Sequence, residues 1–492
     1  MDQLTPLLVV GAVTLALFMW RGSSWYLKID PLKSVPGPVL NRYTRLPLKL
    51  AICMGERANY IDRLHQQYGH FVRIAPNEVA ISELQAYKRI HRSGTGFMKA
   101  DWYPETNLVY TDDNEKLGVF QIQDPAEASR RRKLYHRAAR RQELLVWESA
   151  VAQGAEAAAI KIREELNKHE VVDLWAWYQL LATDLIALVA FGKSFGSLES
   201  GQKSVMVQDV EKIMLVVGLG YEFGIGLLLQ YIPIPGIGRV KSIFSRMDKT
   251  GLEAARTARE SGSSGIARTM FAQMIPSEHE GSEPPLSDSI VAQEAVQDIV
   301  AGSDTTLAAV AYIIYGVLRS PTVKRKLIEE LRTCSASPGL AELESKQYLS
   351  HVIDEGMRLY PPVPSSLPRK VPAGGATFGE YTLPAGCVVS CQALTMHRDP
   401  QVFASPDDFV PERWKSATSL MKDHFMPFGG SMRSCVGMNL AKMEVLFIIE
   451  AFFRHCPDVE LAPSADETSM RRKDYFTAKP AGGKLEVVVQ RR

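Results

Sequence analysis

Charge of one sign is missing from this chain. Over 492 residues, 57 Lys and Arg stand against 55 Asp and Glu, a formal net charge of +2. That balance gives no general attraction to nucleic acid, and no zinc-finger, phosphate-loop or dinucleotide fingerprint is present. Cysteine is scarce too. Six residues, at 53, 334, 387, 391, 435 and 456, are too scattered for a disulfide framework and fit a reducing compartment. Length alone suggests about three domains, yet no repeat or interdomain linker divides the chain. With 46% hydrophobic residues there is material for one large core.

The run 4–20 lacks charge altogether (LTPLLVVGAVTLALFMW) and is just long enough to span a bilayer. A cleaved signal peptide wants a positive start, whereas the chain begins Met1-Asp2. Positive residues follow instead, at Arg21, Lys28, Lys33, Arg42, Arg45 and Lys49, which places the remainder on the cytoplasmic side. The expected organisation is an anchor at 4–20, a basic linker and proline hinge at 21–38 (Val35-Pro-Gly-Pro38), and one catalytic domain over 39–492. A second apolar stretch, 213–234, is interrupted by Glu222 and by Pro233-Ile-Pro235. It reads as a flexible apolar lid near the membrane surface. Polar segments at 261–265 and 278–288 read as a surface excursion. The coarse pattern is helical, with strand-like runs at 72–81, 379–395 and 485–490.

What is present is a sequence of chemical motifs. Phe428-Gly-Gly-Ser-Met-Arg-Ser-Cys-Val-Gly437 sets Cys435 in a glycine-bracketed loop, directly before a helical stretch from Met438. A thiolate there gains from the helix N-terminus. The glycines let backbone approach a flat ligand, Phe428 can cover the sulfur, and Arg433 can meet a carboxylate. The bland alternative is a buried structural thiol. Ala301-Gly-Ser-Asp-Thr-Thr306 puts Asp304 and Thr305 inside an apolar helix over 290–318, where an acid is expensive without work or partners. Its bland reading is a bend whose hydroxyls bond back to the preceding turn. Glu355-Gly-Met-Arg358 sets opposite charges at i, i+3, and Pro361-Pro362 then stops the helix. Phe409-Val-Pro-Glu-Arg-Trp414 adds Arg413.

These four motifs, in this order, resemble the cytochrome P-450 family, and the resemblance runs from about Pro36 to the C-terminus. It implies a mainly α fold with small β-sheets, a helix-rich triangular prism behind an N-terminal transmembrane helix. It implies haem b with Cys435 as axial iron ligand, and Asp304 and Thr305 over the face that oxygen approaches. Glu355, Arg358 and Arg413 form the family's structural ion-pair cluster. Three arginines are the implied partners of the haem carboxylates: Arg433, Arg132 in Ser129-Arg-Arg-Arg-Lys133, and Arg369 in Leu367-Pro-Arg369. Gly437, Leu440, Ala441 and Glu444 also fit the pattern. Two positions depart from it: Ser431 stands where the family has glycine, and Ala128 where it has tryptophan or histidine.

The implied activity is monooxygenation of an apolar small molecule at the endoplasmic reticulum membrane. Electrons come from NADPH through a reductase, with cytochrome b5 as a second candidate donor, since nothing in the chain binds flavin or NADPH. The basic residues over 130–141 are a candidate docking face. The wording of Tyr43-Thr-Arg-Leu-Pro-Leu48 and Ile74-Ala-Pro-Asn-Glu-Val79 is similar to filamentous-fungal members that tailor secondary metabolites, which suggests a terpenoid, polyketide or alkaloid. The expected pocket is lined by 97–120, the lid, Ala301, Thr305, 363–367 and 475–478. The rival readings are a reductase-independent isomerase or dehydratase, and a non-enzymatic haem-binding membrane protein. A zinc site at Cys387, Cys391 and His397 is weaker than a strand with small packed thiols.

Overall fold

The computed structural model describes residues 30–105, 117–212, 237–261, 269–274, 286–430 and 433–490. The expected anchor at 4–20, the linker up to 29, the lid at 213–234, Ser431 and most of the polar excursion lie outside the described residues.

Helices carry most of the chain. In chain order, those that position the site are α1 (Leu46–Cys53), α2 (Arg57–Tyr68), α3 (Pro125–Ala138), α4 (Leu174–Phe191), α5 (Asp288–Leu318), α6 (Gln347–Leu359) and α7 (Met438–His455). Their starts follow local chemistry. Asp124 caps α3 by accepting from the Glu127 amide, with Pro125 in the first turn, and Ser287 caps α5 by accepting from the Ile290 amide. From Leu307 to Val317 every residue of α5 is buried, as expected of a helix apolar nearly all round. α4 and α5 are long and apolar enough to cross a membrane, but both lie mostly inside the fold. They are its core. α5 packs on α4, α6, α7 and the helix Ile237–Ser261. Where α6 crosses α5, Gly356 is required: a Cβ there would stand 2.4 Å from Ile313 Cγ1.

The strand-like run at 72–81 is a hairpin, β1 (Phe71–Ala75) and β2 (Glu78–Ile81), paired Phe71 to Ile81 and Val72 to Ala80. With β3 (Met98–Lys99), β4 (Arg369–Lys370) and β5 (Val388–Ser390) it makes a five-stranded sheet in the order β1-β2-β5-β4-β3. The β2–β5 contact is parallel and the others antiparallel. The run at 379–395 resolves into Tyr381–Leu383, β5 and a short helix, Ala393–Met396. The run at 485–490 holds the strand Glu486–Val489. A second hairpin, β6 (Arg472–Tyr475) with β7 (Thr477–Pro480), turns at Phe476. The fold class is mainly α with small sheets.

Candidate active site

A cavity of about 750 Å³ is lined on one side by α5 and on the other by the loop leading into α7. The Cys435 amide donates to the Phe428 carbonyl at 2.9 Å, which closes the loop, and Gly429 takes a φ of +71°. Serine or any other side chain would be strained at that φ, so the left-handed turn falls on glycine. Helix α7 starts at Met438, three residues past the cysteine. Cys435 is accessible because it opens on this cavity, and Phe428 and Arg433 line the same wall. Burial pushes the thiol up, while the Gly437 N–H and the Arg132 charge favour the thiolate and Asp298 opposes it.

Across the cavity, α5 presents Ala301, Gly302 and Thr305. The Thr305 hydroxyl donates to the Ala301 carbonyl at 2.6 Å, as Ser303 does to Ile299 at 2.6 Å, so both bond back one turn. The Thr305 oxygen keeps acceptor capacity toward the cavity. Asp304 is placed differently. It does not line the cavity but lies against β7, bonded to Thr477 and facing Lys479. Burial pushes its carboxyl up to about 6. Thr477 does line the cavity and links the two.

The expected cations converge there. Arg132, Arg369 and Arg433 all line the cavity. Of the three successive arginines, Arg130 pairs with Glu127 at 2.8 Å, Arg131 turns into the core toward Glu294 at 3.0 Å, and Arg132 reaches the Ser434 carbonyl at 2.8 Å. Ala128, one turn earlier, is fully buried against Leu117 and Ile122 and offers no polar contact. A fourth cation was not foreseen. Lys99 on β3 stands directly opposite Arg369 on β4, buried, donating to the Val119 carbonyl at 3.0 Å. Like charges opposed across a sheet repel. Burial and the three arginines hold the Lys99 ammonium well below its usual range.

None of these four cations has an ion pair among the described residues. Around them the Tyr87 hydroxyl, His91 Nε2, Arg369 Nε and Arg433 Nη1 are buried without hydrogen-bond partners among the described residues. Buried donors and cations in that state require an acceptor. A flat ligand with two carboxylates, and a metal for the thiol, fits this donor set. Haem is such a ligand.

Behind the loop the ion-pair cluster is closed. Glu355 accepts from Arg358 Nε at 2.9 Å and Nη2 at 2.8 Å, from Arg413 Nε at 3.0 Å, from Trp414 Nε1 at 2.9 Å and from the Val410 amide at 2.9 Å. Arg358 spends its remaining donors on the carbonyls of His397, Pro406 and Asp408. His397 has both ring nitrogens on the main chain, at Arg358 and Met426, while Cys387 and Cys391 pack into a small apolar cluster.

Two acids near the cavity also escaped sequence reasoning, and a third shows its burial only in the fold. Glu294, fully buried, holds Arg131 and the Val119 amide, and the Tyr135 hydroxyl bridges it at 3.2 Å to Asp298 at 3.0 Å. Burial and the Glu294 charge raise Asp298 well above the carboxylate range. Glu444 on α7 has Thr306 as its hydrogen-bond partner, and burial pushes it up to about 8. Glu444 had been noted only as matching a family pattern. For Glu294 and Asp298 the one available signal was two acids at i, i+4 on an apolar helix.

The sequence profile described as Cytochrome P450 matches residues 37–487. The chain is 32% identical over 478 residues to the cytochrome P450 monooxygenase tazI of Aspergillus terreus, covering 96% of each. It is 30% identical over 466 residues to the cytochrome P450 monooxygenase stcB of Emericella nidulans, covering 91% of this chain and 86% of that one. A cytochrome P450 monooxygenase of Aspergillus niger, orf2, is 30% identical over 465 residues, with 93% of each covered. Profile, relatives and cavity agree: the chain belongs to the cytochrome P450 family and is a monooxygenase.

Proposed function

We propose that this chain is a haem-thiolate monooxygenase that oxidises an apolar secondary metabolite at the endoplasmic reticulum membrane. The observation that carries the reading is the cavity itself, with an accessible thiol at one wall, a threonine oxygen at the facing wall and unpaired cations beside them. Cys435 would bind the haem iron, and Arg132, Arg369, Arg433 and Lys99 would hold the haem carboxylates. When bound, haem iron supplies oxygen activation, which the charge of a thiolate ligand favours. Thr305 positions and passes a proton in the cavity, and Asp304 renews it through Thr477, its raised pKa suiting exchange near neutral pH.

The remaining cavity wall is aromatic and aliphatic. Trp102, Phe120 and Phe476 form a triangle with centroids 5.5–6.0 Å apart, and Val296, Val300 and Ile186 extend it. Such a lining favours a sizeable apolar substrate and excludes water. Electrons come from NADPH through a reductase docked on α3, where Lys133 and Arg137 are exposed on the helix whose Arg132 touches the cysteine loop, with exposed Arg140 just past its end. Bilayer contact is supported by an apolar stripe beside the expected anchor. Val39, Leu40 and Tyr43, on or just after a short 3-10 turn, and Leu46, Leu50 and Met54, on or just after α1, are all exposed.

The experiment is turnover of candidate terpenoids, polyketides and alkaloids by purified protein with NADPH and reductase, alongside haem spectral titration. Oxygenated product that requires both components is expected. Turnover without reductase would favour the isomerase reading, and no turnover of any spectrally bound ligand would favour the non-enzymatic one.

A further inference from the structure

The signature that marks the haem carboxylates, buried guanidinium N–H groups without acceptors, recurs at a second pocket. This pocket, of about 270 Å³, shares no lining residue with the cavity. It is walled by Asn59 of α2, Tyr315 of α5, Arg319, Tyr360, Arg398, and the segment from Glu467 to Arg472 that leads into β6. Four guanidinium groups line it against one carboxylate.

Three of the four are partly neutralised. Arg319 pairs with Glu467, Arg398 Nε with Asp407 at 3.0 Å, and Arg471 with Glu56 at 2.5 Å. Arg472 is not. It is 9% exposed, has no ion pair among the described residues, and bonds only the Asn59 side chain, at 3.2 Å. Arg472 Nε and Arg398 Nη1 are both buried and without partners. Burial, and then the Arg472 charge, lower Arg398 to about 10. A water molecule can accept such hydrogen bonds, but it brings no counter-charge to Arg472, which feels the buried Asp474 carboxylate only through space and has none in contact.

We infer that this pocket binds a phosphate group, either free phosphate or the phosphate of a lipid headgroup. Guanidinium forks match tetrahedral oxyanions in geometry and charge, and the Tyr315 and Tyr360 side chains complete a polar wall of suitable size. Both sources are open to it: Arg471, which lines the pocket, pairs with Glu56, two residues past Met54 at the end of the exposed apolar stripe.

The test uses haem-loaded, full-length protein in a non-ionic detergent, titrated with inorganic phosphate at an ionic strength held constant by chloride. Saturable thermal stabilisation is expected. Arg472→Gln weakens it by about tenfold or more, with the reduced carbon monoxide spectrum unchanged. Glu467→Gln, at a side chain 78% exposed and so without risk to folding, strengthens it by about threefold. Phosphatidylcholine vesicles containing phosphatidic acid then identify the source. Competition with phosphate that depends on Arg472 assigns a lipid headgroup, and its absence assigns free phosphate. Stabilisation no greater than with chloride, or equal in the wild type and both variants, overturns the site and leaves only water in it.

Discussion

Two charged regions flank the cysteine loop, and they are built in opposite ways. Behind it, Glu355 is surrounded by five donors, and every donor of Arg358 is spent. In front of it, Lys99, Arg132, Arg369 and Arg433 share a cavity in which no carboxylate among the described residues pairs with them, beside the buried and unpartnered Tyr87 hydroxyl and His91 Nε2. The first region is complete as protein. The second is complete only with an anionic ligand. Sequence alone shows arginines in both, and the partner inventory separates structural charge from binding charge.

The largest effect should come from opening the closed region. Glu355→Ala or Arg358→Ala leaves a buried charge unpaired, at about 3–5 kcal/mol, and should yield little or no folded, haem-loaded protein. Haem content after purification checks this, and normal content in either variant would remove the cluster from its structural role. Breaking the open region should be milder for the fold and specific for the ligand. Arg369 and Arg433 replaced together by glutamine should leave a folded chain whose haem affinity falls by roughly two to four orders of magnitude, at about 1.5–3 kcal/mol for each of the two charged hydrogen bonds. Haem titration of the apoprotein measures it. If affinity is unchanged, those cations serve something else.

Thr305→Ala tests the cavity wall itself. The hydroxyl has satisfied its own donor at Ala301, so its loss should disturb neither folding nor substrate binding. Product per NADPH should drop several-fold while hydrogen peroxide rises. Unchanged coupling would leave Thr305 as a helix-turn contact. The last effect, which appears only as a dependence on pH, concerns Glu444, a buried acid with Thr306 as its hydrogen-bond partner, against the five donors of Glu355. Its folded pKa of about 8 lies above its ordinary 4.5, so the folded state holds the proton more tightly than the unfolded chain does. Its contribution is fully present below about 4.5 and is lost as pH rises toward about 8. Glu444→Gln should flatten the fall of thermal stability across that window, and an unaltered pH profile would contradict the assignment.

Much of this was legible in the sequence. The glycine-bracketed Cys435 loop and the Glu355–Arg358 spacing declared themselves through local pattern, and the helix around Thr305, expected over 290–318 because it is apolar on most faces, runs from Asp288 to Leu318. What was not legible depended on strand pairing. Lys99 is one lysine in a two-residue strand, and only its register with Arg369 makes it a cavity cation. Asp304 and Thr305 are adjacent in sequence, yet a helix turns neighbours about 100° apart. Hence one faces the cavity and the other β7. Arg472 lay in an unremarkable polar segment until α2, α5 and β6 met around it.

The central claim is that the open region holds haem with Cys435 on the iron. It is tested most directly by the absorption spectrum of reduced, carbon monoxide-treated protein, wild type beside Cys435→Ala. The account predicts the long-wavelength thiolate band in the wild type and its complete loss in the variant. A Cys435→Ala protein that retains that band would contradict it.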